Sequence, residues 1–210
     1  MTNFVIMNRP ALLKFTAVFL TAYLLLLVLS VQYGQRYVEL LLPLYRWEIG
    51  WCAPDYQILN LSLQDNRGEA VVALKLKLVQ YSFAGGHLLP PGGEISSSTL
   101  SGHVLQHVLL MLSLLVAWPM RGITQRMALL GIALPLLLLV EMLDVPLVLL
   151  GSIEDLILAN VAPTASSFLV SWMNFLNGGG RLALSIVAAL AAIGIIRIVD
   201  RSKLPGAANA

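Results

Sequence analysis

Four long apolar runs separated by polar segments dominate the pattern of residues along the chain. The runs cover residues 11–31, 103–118, 127–150 and 182–199. Each is near the length of about 20 residues with which an α-helix crosses a ~30 Å hydrocarbon core. The pattern therefore predicts a single membrane domain over residues 1–210, of the all-α class, with four transmembrane helices.

The polar segment 32–102 lies between the first two runs and is too long for a simple turn. It opens with YVELLLPLYRWEIGW, which mixes leucines with Tyr45, Trp47 and Trp51. Such a mixture is typical of a helix that lies at the level of the lipid headgroups. We therefore expect an interfacial helix directly after the first span.

A β-hairpin is predicted further along the same segment. From Val72 to Leu78 every second residue is a large aliphatic one, which is the period of a β-strand. The preceding DNRG, residues 65–68, has the composition of a tight turn. We expect the hairpin over about residues 56–83, and an irregular loop in the Gly-, Pro- and Ser-rich stretch that follows it up to Gly102.

The second polar segment, 151–181, is expected to be a loop with interfacial helices. Ser152 and Asp155 have the spacing of a capping box at the start of a short helix. The stretch SSFLVSWMNFL then places its aromatic residues near one face of a second helix, which the following NGGG run is expected to end. A helix that docks a partner protein or a lipid is the alternative.

The composition agrees with a membrane protein. Hydrophobic residues make up 58% of the chain, charged residues 11%, and the mean hydropathy is +0.83. Cys52 is the only cysteine, which excludes an intrachain disulfide and a metal cage built from cysteines. No small-residue cleavage site follows the first apolar run, so we interpret it as a retained span and not as a signal peptide.

The basic residues predict the orientation of the spans. Seven of the thirteen basic residues flank the span ends on one side of the membrane, and these are Arg9, Lys14, Arg121, Arg126, Arg197, Arg201 and Lys203. Of the eleven acidic residues, only Asp200 lies on that side. Because short cytoplasmic segments are rich in Lys and Arg, both termini are expected in the cytoplasm. The segments 32–102 and 151–181 are then extracytoplasmic.

Two carboxylates interrupt the third apolar run. Glu141 and Asp144 are three residues apart and share one helix face. Charges in hydrocarbon are costly and therefore face protein, water or a partner. His103 and His107 lie one turn apart at the outer end of the second run, whose helix is expected to be the antiparallel neighbour of the third. We interpret the four residues as a hydrogen-bonded clamp between the two spans.

Other functions for these four residues remain open. Two histidines at this spacing with nearby carboxylates also supply the ligands of a metal site. HVLQH lacks the glutamate of a zinc-protease motif, however. A proton or ion pathway is a further alternative, although the sequence has neither the repeats nor the broken helices of transporters.

A thiol-based transpeptidase site is a separate hypothesis. Cys52, His87 and Arg181 all lie in outer segments, and a Cys, a His and an Arg together can form such a site. A lone cysteine is more often a small packed side chain. The Gly-rich outer loop matches neither a P-loop nor a dinucleotide-binding fingerprint.

The order of elements and the residue sequences of two segments resemble those of a known group of proteins. A span and an outer β segment are followed by HVLQHVLLMLSLLVAWPMR and LPLLLLVEMLDVPLVL. In these features the chain resembles small bacterial integral membrane proteins associated with exosortases, in particular the exosortase-H-associated group. Exosortases themselves are larger and hold their Cys, Arg and His in a multi-span core, whereas Cys52 lies in an outer segment. The resemblance implies an accessory role and not the protease.

The sequence therefore predicts a non-catalytic accessory subunit of a protein-sorting or envelope-assembly system in the bacterial inner membrane. Its expected partners are the lipid bilayer and a membrane protein, with no nucleic acid and no cofactor. One alternative is a membrane-embedded metalloprotein or envelope enzyme that uses a His/carboxylate cluster. The other is a small ion or proton translocator.

Overall fold

A computed structural model describes residues 9–120 and 122–202 of the chain. Arg121 and Lys203, two of the basic residues that predict the orientation, lie outside the described residues. The helices are α1 (Arg9–Cys52), α2 (Ser101–Ala117), α3 (Ile123–Val161), α4 (Phe168–Phe175) and α5 (Arg181–Ser202). The strands are β1 (Tyr56–Asn66), β2 (Glu69–Leu78), β3 (Ser82–Ala84), β4 (His87–Leu89) and β5 (Glu94–Leu100). The molecule is thus mostly helical with a small amount of sheet.

Within residues 9–120 and 122–202, three helical stretches are long and apolar enough to cross a membrane. They are Arg9–Cys52, Ile123–Val161 and the α4–α5 stretch Phe168–Val199. The predicted second span corresponds to α2, which is apolar but has only 17 residues. At 1.5 Å per residue α2 covers about 26 Å, slightly less than a typical hydrocarbon core.

Helix α1 differs from the prediction because it does not end with the first span. It continues without a break through Pro43 to Cys52, over 44 residues or about 66 Å. In the described part of the chain, no separate interfacial helix follows the span, because α1 itself covers that stretch. Val38, Leu41, Tyr45 and Ile49 are all buried, at the spacing of one helix face. Their packing on the sheet and on α3 holds this half of α1 in helical register outside the apolar run.

Helix α3 is also longer than the predicted span. It runs through Pro135 and Pro146 for 39 residues, so the predicted helix start at Ser152 is wrong. Ser152 lies inside α3, where its hydroxyl donates to the sulfur of Met173 on α4. Ile153 and Ile157 continue the apolar face of α3 and pack against the outer sheet. This packing carries the helix beyond the apolar run.

The predicted loop 151–181 is mostly helical. The chain leaves helical structure only over residues 162–167, before Ser167 caps α4 by accepting a hydrogen bond from the Leu169 N–H. Residues Leu176–Gly180 form a π-helical turn, in which Gly179 has a φ of 112°. A residue with a Cβ is strained at that angle, so the glycine run bends the chain from α4 into α5.

The outer sheet contains one strand more than the predicted hairpin. Strands β1 and β2 are antiparallel neighbours, and β5 pairs with the other edge of β2, in the order β1-β2-β5. Strand β5 arises from the stretch predicted to be an irregular loop, and β3 pairs only with β4. The predicted period of two in β2 is confirmed, since Val72, Leu74, Leu76 and Leu78 are all buried.

Three groups of buried apolar side chains hold the molecule together, and the smallest of them joins α3 to α4 through Val148, Met173 and Leu176. The two larger groups are named after the positions that the predicted orientation gives them. The outer core joins α1, β1, β2, α2 and α3, and contains Val38, Leu41, Tyr45, Ile49, Leu61, Val72, Leu74, Leu76, Val104, Val145, Leu149, Leu150, Ile153 and Ile157. The membrane core joins α2, α3 and α5, and contains Met111, Leu115, Leu129, Ala133, Leu137, Val140, Ala188, Ala189, Ala192, Ile193 and Ile196. The two carboxylates of α3 lie between these cores in sequence.

Candidate functional site

Asp144 is the centre of a buried polar cluster that connects three helices. Its Oδ2 atom lies 2.7 Å from Nε2 of His107 on α2. Both carboxylate oxygens lie 2.9 Å from Nε of Arg181, the first residue of α5. His107 and Asp144 are fully buried, and only 4% of Arg181 is exposed. A carboxylate between two donors is the arrangement that stabilises a charge away from water.

Residues one helical turn apart complete this cluster on the α5 side. Arg181 and Ser185 are four residues apart and share one face of α5, and Asn177 lies in the π-helical turn before it. The Asn177 side-chain oxygen accepts a hydrogen bond of 2.8 Å from the Arg181 guanidinium. The Ser185 hydroxyl lies 2.8 Å from Nδ1 of His107 and donates to the Arg181 carbonyl at 3.0 Å. We call these three residues, with His107 and Asp144, the Asp144 cluster.

Both ring nitrogens of His107 have a hydrogen-bond partner. Nδ1 faces the Ser185 hydroxyl and Nε2 faces the Asp144 carboxylate. A carboxylate only accepts, so Nε2 is the nitrogen that donates to Asp144. The Ser185 hydroxyl also lies within hydrogen-bond distance of the Arg181 carbonyl, so it connects the imidazole ring to the backbone of α5.

Glu141 forms a second cluster with α1, one turn deeper along α3. Its two oxygens accept hydrogen bonds from the Tyr37 hydroxyl at 3.2 Å and the Tyr45 hydroxyl at 2.9 Å. Glu141 is fully buried. The two tyrosines are eight residues apart, about 12 Å along the helix, so Glu141 faces the middle of this stretch of α1. We call these three residues the Glu141 cluster.

Opposite charges meet in the Asp144 cluster, whereas the Glu141 cluster is joined by hydrogen bonds alone. The Asp144 carboxylate lies 2.9 Å from the Arg181 guanidinium. This pairing matters because an unpaired charge is costly in a medium of low dielectric constant. None of these side chains has a buried polar atom without a hydrogen-bond partner. The arrangement is therefore suited to joining α1, α2, α3 and α5.

The four residues proposed from the sequence are only partly brought together. His107 and Asp144 are in direct contact, but Glu141 faces the tyrosines of α1, and His103 lies 3.3 Å from the Thr99 hydroxyl. Among the described residues, no group of three or more His, Cys, Asp and Glu side chains is arranged to hold a metal ion. The predicted metal set of His103, His107, Glu141 and Asp144 is thus not assembled.

The predicted thiol site is not assembled either. Cys52 is exposed at the end of α1 and lines a cavity of about 180 Å³ together with Asp55 and Glu154. Neither His87 nor Arg181 lines that cavity. The Arg181 guanidinium is held instead by Asp144 and Asn177. A base and a cation therefore do not stand beside the thiol.

One connected chain of hydrogen bonds resembles a catalytic triad. Ser185, His107 and Asp144 have the order hydroxyl, imidazole and carboxylate. All three are fully buried, however, and Arg181 neutralises the carboxylate that would stabilise an imidazolium during catalysis. The Arg181 carbonyl, 3.0 Å from the Ser185 hydroxyl, is also a second acceptor for its hydrogen. A substrate has no access to this serine in the observed arrangement.

Sequence reasoning missed Arg181 as the partner of Asp144, and it missed Ser185, Tyr37 and Tyr45. The spacing of Asn177, Arg181 and Ser185 is visible in the sequence and indicates a polar stripe at the outer end of α5. A comparison of the chain with protein-family models, with curated proteins and with solved structures finds no match. Function must therefore be argued from the site.

Proposed function

We propose that the protein is a non-catalytic accessory subunit of a protein-sorting or envelope-assembly system in the bacterial inner membrane. In this proposal α1, α2, α3 and the α4–α5 stretch are four spans with both termini in the cytoplasm. The outer region, formed by the sheet and the outer halves of α1 and α3, is presented to a partner protein. The exosortase-associated group is the family that we propose for it.

The observation that carries the proposal is the closure of the two polar clusters. The ionisable residues His107, Glu141, Asp144 and Arg181 are buried and hold one another or their neighbours, and only Asn177 and Tyr37 of the two clusters reach the surface. Cavities of about 420, 410 and 180 Å³ lie in the described part of the outer region, and no member of either cluster lines them. The ionisable groups are buried, whereas the outer region has cavities at its surface. This difference favours assembly with a partner over catalysis.

An exposed apolar stripe on the outer half of α1 supports a protein partner. Leu40, Trp47 and Trp51 are 75%, 63% and 76% exposed and lie on the face opposite to Val38, Tyr45 and Ile49. Tryptophan is enriched among the residues that dominate protein interfaces. Helices α1 and α3 run side by side here, because Tyr37 and Tyr45 flank Glu141 while Ala53 and Ile153 line the same cavity. Beyond their apolar runs, α1 and α3 therefore continue side by side into the outer region.

Aromatic and basic residues at the other end of the bundle support the cytoplasmic boundary. The Arg197 guanidinium lies 5.2 Å from the centre of the Trp118 ring, and the Phe15 ring meets Trp118 edge-on at 6.1 Å. Trp and Arg are enriched where a membrane helix reaches the interface. The most apolar 18 residues of α1 have no buried residue, which fits a helix surface that contacts lipid.

A pull-down in mild detergent tests the proposal. The tagged full chain, the Trp47→Ala/Trp51→Ala double variant and the Ser185→Ala variant are purified side by side, and the eluates are compared by mass spectrometry and elemental analysis. We expect a stoichiometric membrane protein with the wild type and with Ser185→Ala, and its loss with the tryptophan variant. Loss of the partner in neither variant, or no partner with the wild type, contradicts the proposal.

An envelope hydrolase is the second candidate, because Ser185, His107 and Asp144 form an unbroken hydrogen-bonded chain. This candidate requires the membrane helices to separate and expose Ser185. It predicts that Ser185→Ala abolishes the cellular function while the abundance of the protein and its partner complex are unchanged. The accessory-subunit proposal predicts that Ser185→Ala keeps the function.

A further inference from the structure

The turn between β1 and β2 has an unusual residue at its tip. Arg67 and Gly68 are the two residues between the paired Asn66 and Glu69, and both have positive φ, of 58° and 87°. Arg67 is the one residue other than glycine with positive φ in the described part of the chain. Glycine, asparagine and aspartate are the residues that suit this position. A strained arginine at an exposed tip indicates that its side chain is used.

The register of the sheet places this tip at the membrane end of the outer region. Val71 of β2 pairs with Leu100, the last residue of β5, and α2 begins at the next residue, Ser101. The chain between Val71 and the tip continues in the same direction for three residues, about 10 Å along the strand. The opposite end of β2, at Leu78, lies beside Tyr56 and the end of α1. The tip therefore points to the side on which α2 enters the membrane.

The charges at the tip alternate in sign. Asp65, Arg67 and Glu69 are all exposed, and the Asp65 carboxylate accepts a hydrogen bond of 2.7 Å from the Gly68 N–H. A purely anionic surface would be attracted by Arg67 and repelled by the two acids. A zwitterionic headgroup carries a phosphate and an ammonium group a few ångströms apart, so it can match both signs.

We propose that the Asn66–Glu69 turn rests on the outer leaflet, where Arg67 donates to a phospholipid phosphate and Glu69 faces the ammonium group of an ethanolamine headgroup. This inference rests on the four-span arrangement of the proposed function, because that arrangement makes Ser101 the outer end of a span. The turn is then a lipid contact that fixes the sheet above the bilayer. The exposed apolar stripe of α1, with Trp47 and Trp51, is then left available for contact with a partner protein.

A depth measurement tests the position of the turn. In a Cys52→Ser background, a fluorophore is attached at Asn66→Cys or at Val79→Cys, and the full chain is placed in phosphatidylethanolamine/phosphatidylglycerol nanodiscs with a nitroxide on some headgroups. The two sites are separated by about 33 Å of strand. We expect strong quenching at residue 66 and weak quenching at residue 79. Equal and weak quenching at both sites overturns the inference.

The same two cysteines separate a failure of this inference from a failure of the proposed topology. In spheroplasts, a membrane-impermeant thiol reagent is expected to label both residues without lysis. Labelling of both sites from outside with weak quenching at residue 66 overturns the lipid contact and leaves the topology intact. Labelling of either site only after lysis overturns the topology itself.

A matched pair of variants tests the role of Arg67. Arg67→Gly relieves the backbone strain and removes the side chain, so in a maltoside detergent without lipid it is expected to unfold at the wild-type temperature or above. Addition of phosphatidylethanolamine should raise the unfolding temperature of the wild type by about 2 to 4 °C more than that of Arg67→Gly. Arg67→Lys is expected to retain part of this gain. An equal gain in wild type and Arg67→Gly contradicts the proposed contact.

Discussion

The outer core and the membrane core are built from different residues, although helices α2 and α3 contribute to both. The outer core contains only large side chains, mainly leucine, isoleucine and valine. In the membrane core four of the buried residues are alanines, namely Ala133, Ala188, Ala189 and Ala192. In water, burial of apolar area drives packing and favours large side chains. In lipid this driving force between helices is absent, so small residues that permit close helix approach are favoured.

The Asp144 and Glu141 clusters lie at the boundary between the outer core and the membrane core, since Glu141 and Asp144 separate the α3 residues of the two cores. Around the sheet, the helices are held by apolar area. In the proposed membrane arrangement, the helices of the membrane core would face lipid tails that are as apolar as their own side chains, so hydrogen bonds and close packing would contribute more of the specificity. His107, Asp144 and Arg181 link α2, α3 and α5 at this level, and Glu141 links α3 to α1. In that arrangement, the hydrogen bonds and the ion pair of Glu141 and Asp144 would supply an attraction between helices that the hydrophobic effect does not supply in lipid.

The largest effect is expected from opening the Asp144 cluster. Asp144→Ala leaves Arg181 as a buried cation without its carboxylate and removes the hydrogen-bond partner of His107, which should lower the free energy of unfolding by about 3–5 kcal/mol. Reversible unfolding in nanodiscs, followed by tryptophan fluorescence, measures the change. The triple variant Asp144→Leu/Arg181→Met/His107→Leu removes the ion pair and the imidazole together and should recover most of the loss. A loss below about 1 kcal/mol in the single variant would contradict the clamp.

A pair of leucine truncations tests the difference between the two cores. Leu74 of the outer core and Leu115 of the membrane core are 1% and 2% exposed. Leu74→Ala should cost about 2–5 kcal/mol, since it loses burial from water and leaves a cavity. Leu115→Ala should cost less, because its side chain moves between protein and lipid and only packing is lost. An equal or larger loss for Leu115→Ala would break the comparison.

The smallest effect is expected at an exposed ion pair of the sheet. The Lys75 ammonium lies 2.7 Å from the Glu94 carboxylate, and its hydrogen bond and charge lower the pKa of Glu94 below the usual 4.5. A depressed carboxyl pKa stabilises the folded state above the unfolded pKa, and this stabilisation is lost as the pH falls through the folded pKa. The difference in unfolding temperature between wild type and Lys75→Met should therefore shrink from pH 6 to about pH 3. A difference that grows on acidification would show that the pair acts in another way.

Hydrophobic patterning located the helices and β2, but not the ends of α1 and α3. Tyr45, Ile49, Ile153 and Ile157 lie outside the apolar runs, and their helical spacing is diluted by polar neighbours such as Arg46 and Glu154. These helices continue because the outer core buries that one face. Strand β5 was missed for a related reason. Serine has little β-propensity, and Ser96–Ser98 form a strand because β2 supplies the pairing and α3 accepts the Ser97 hydroxyl at Leu149.

The sequence by itself determined that Glu141 and Asp144 need partners, because a charge in an apolar run is costly wherever the run folds. It also determined the period of β2 and the apolar stretches of α1, α3 and α5, since these are local properties of the chain. Only the tertiary structure decided the partners. Tyr37 is 104 residues from Glu141, and His107 is 37 residues from Asp144. Contacts over such separations depend on how whole helices pack, and no local pattern encodes which helices become neighbours.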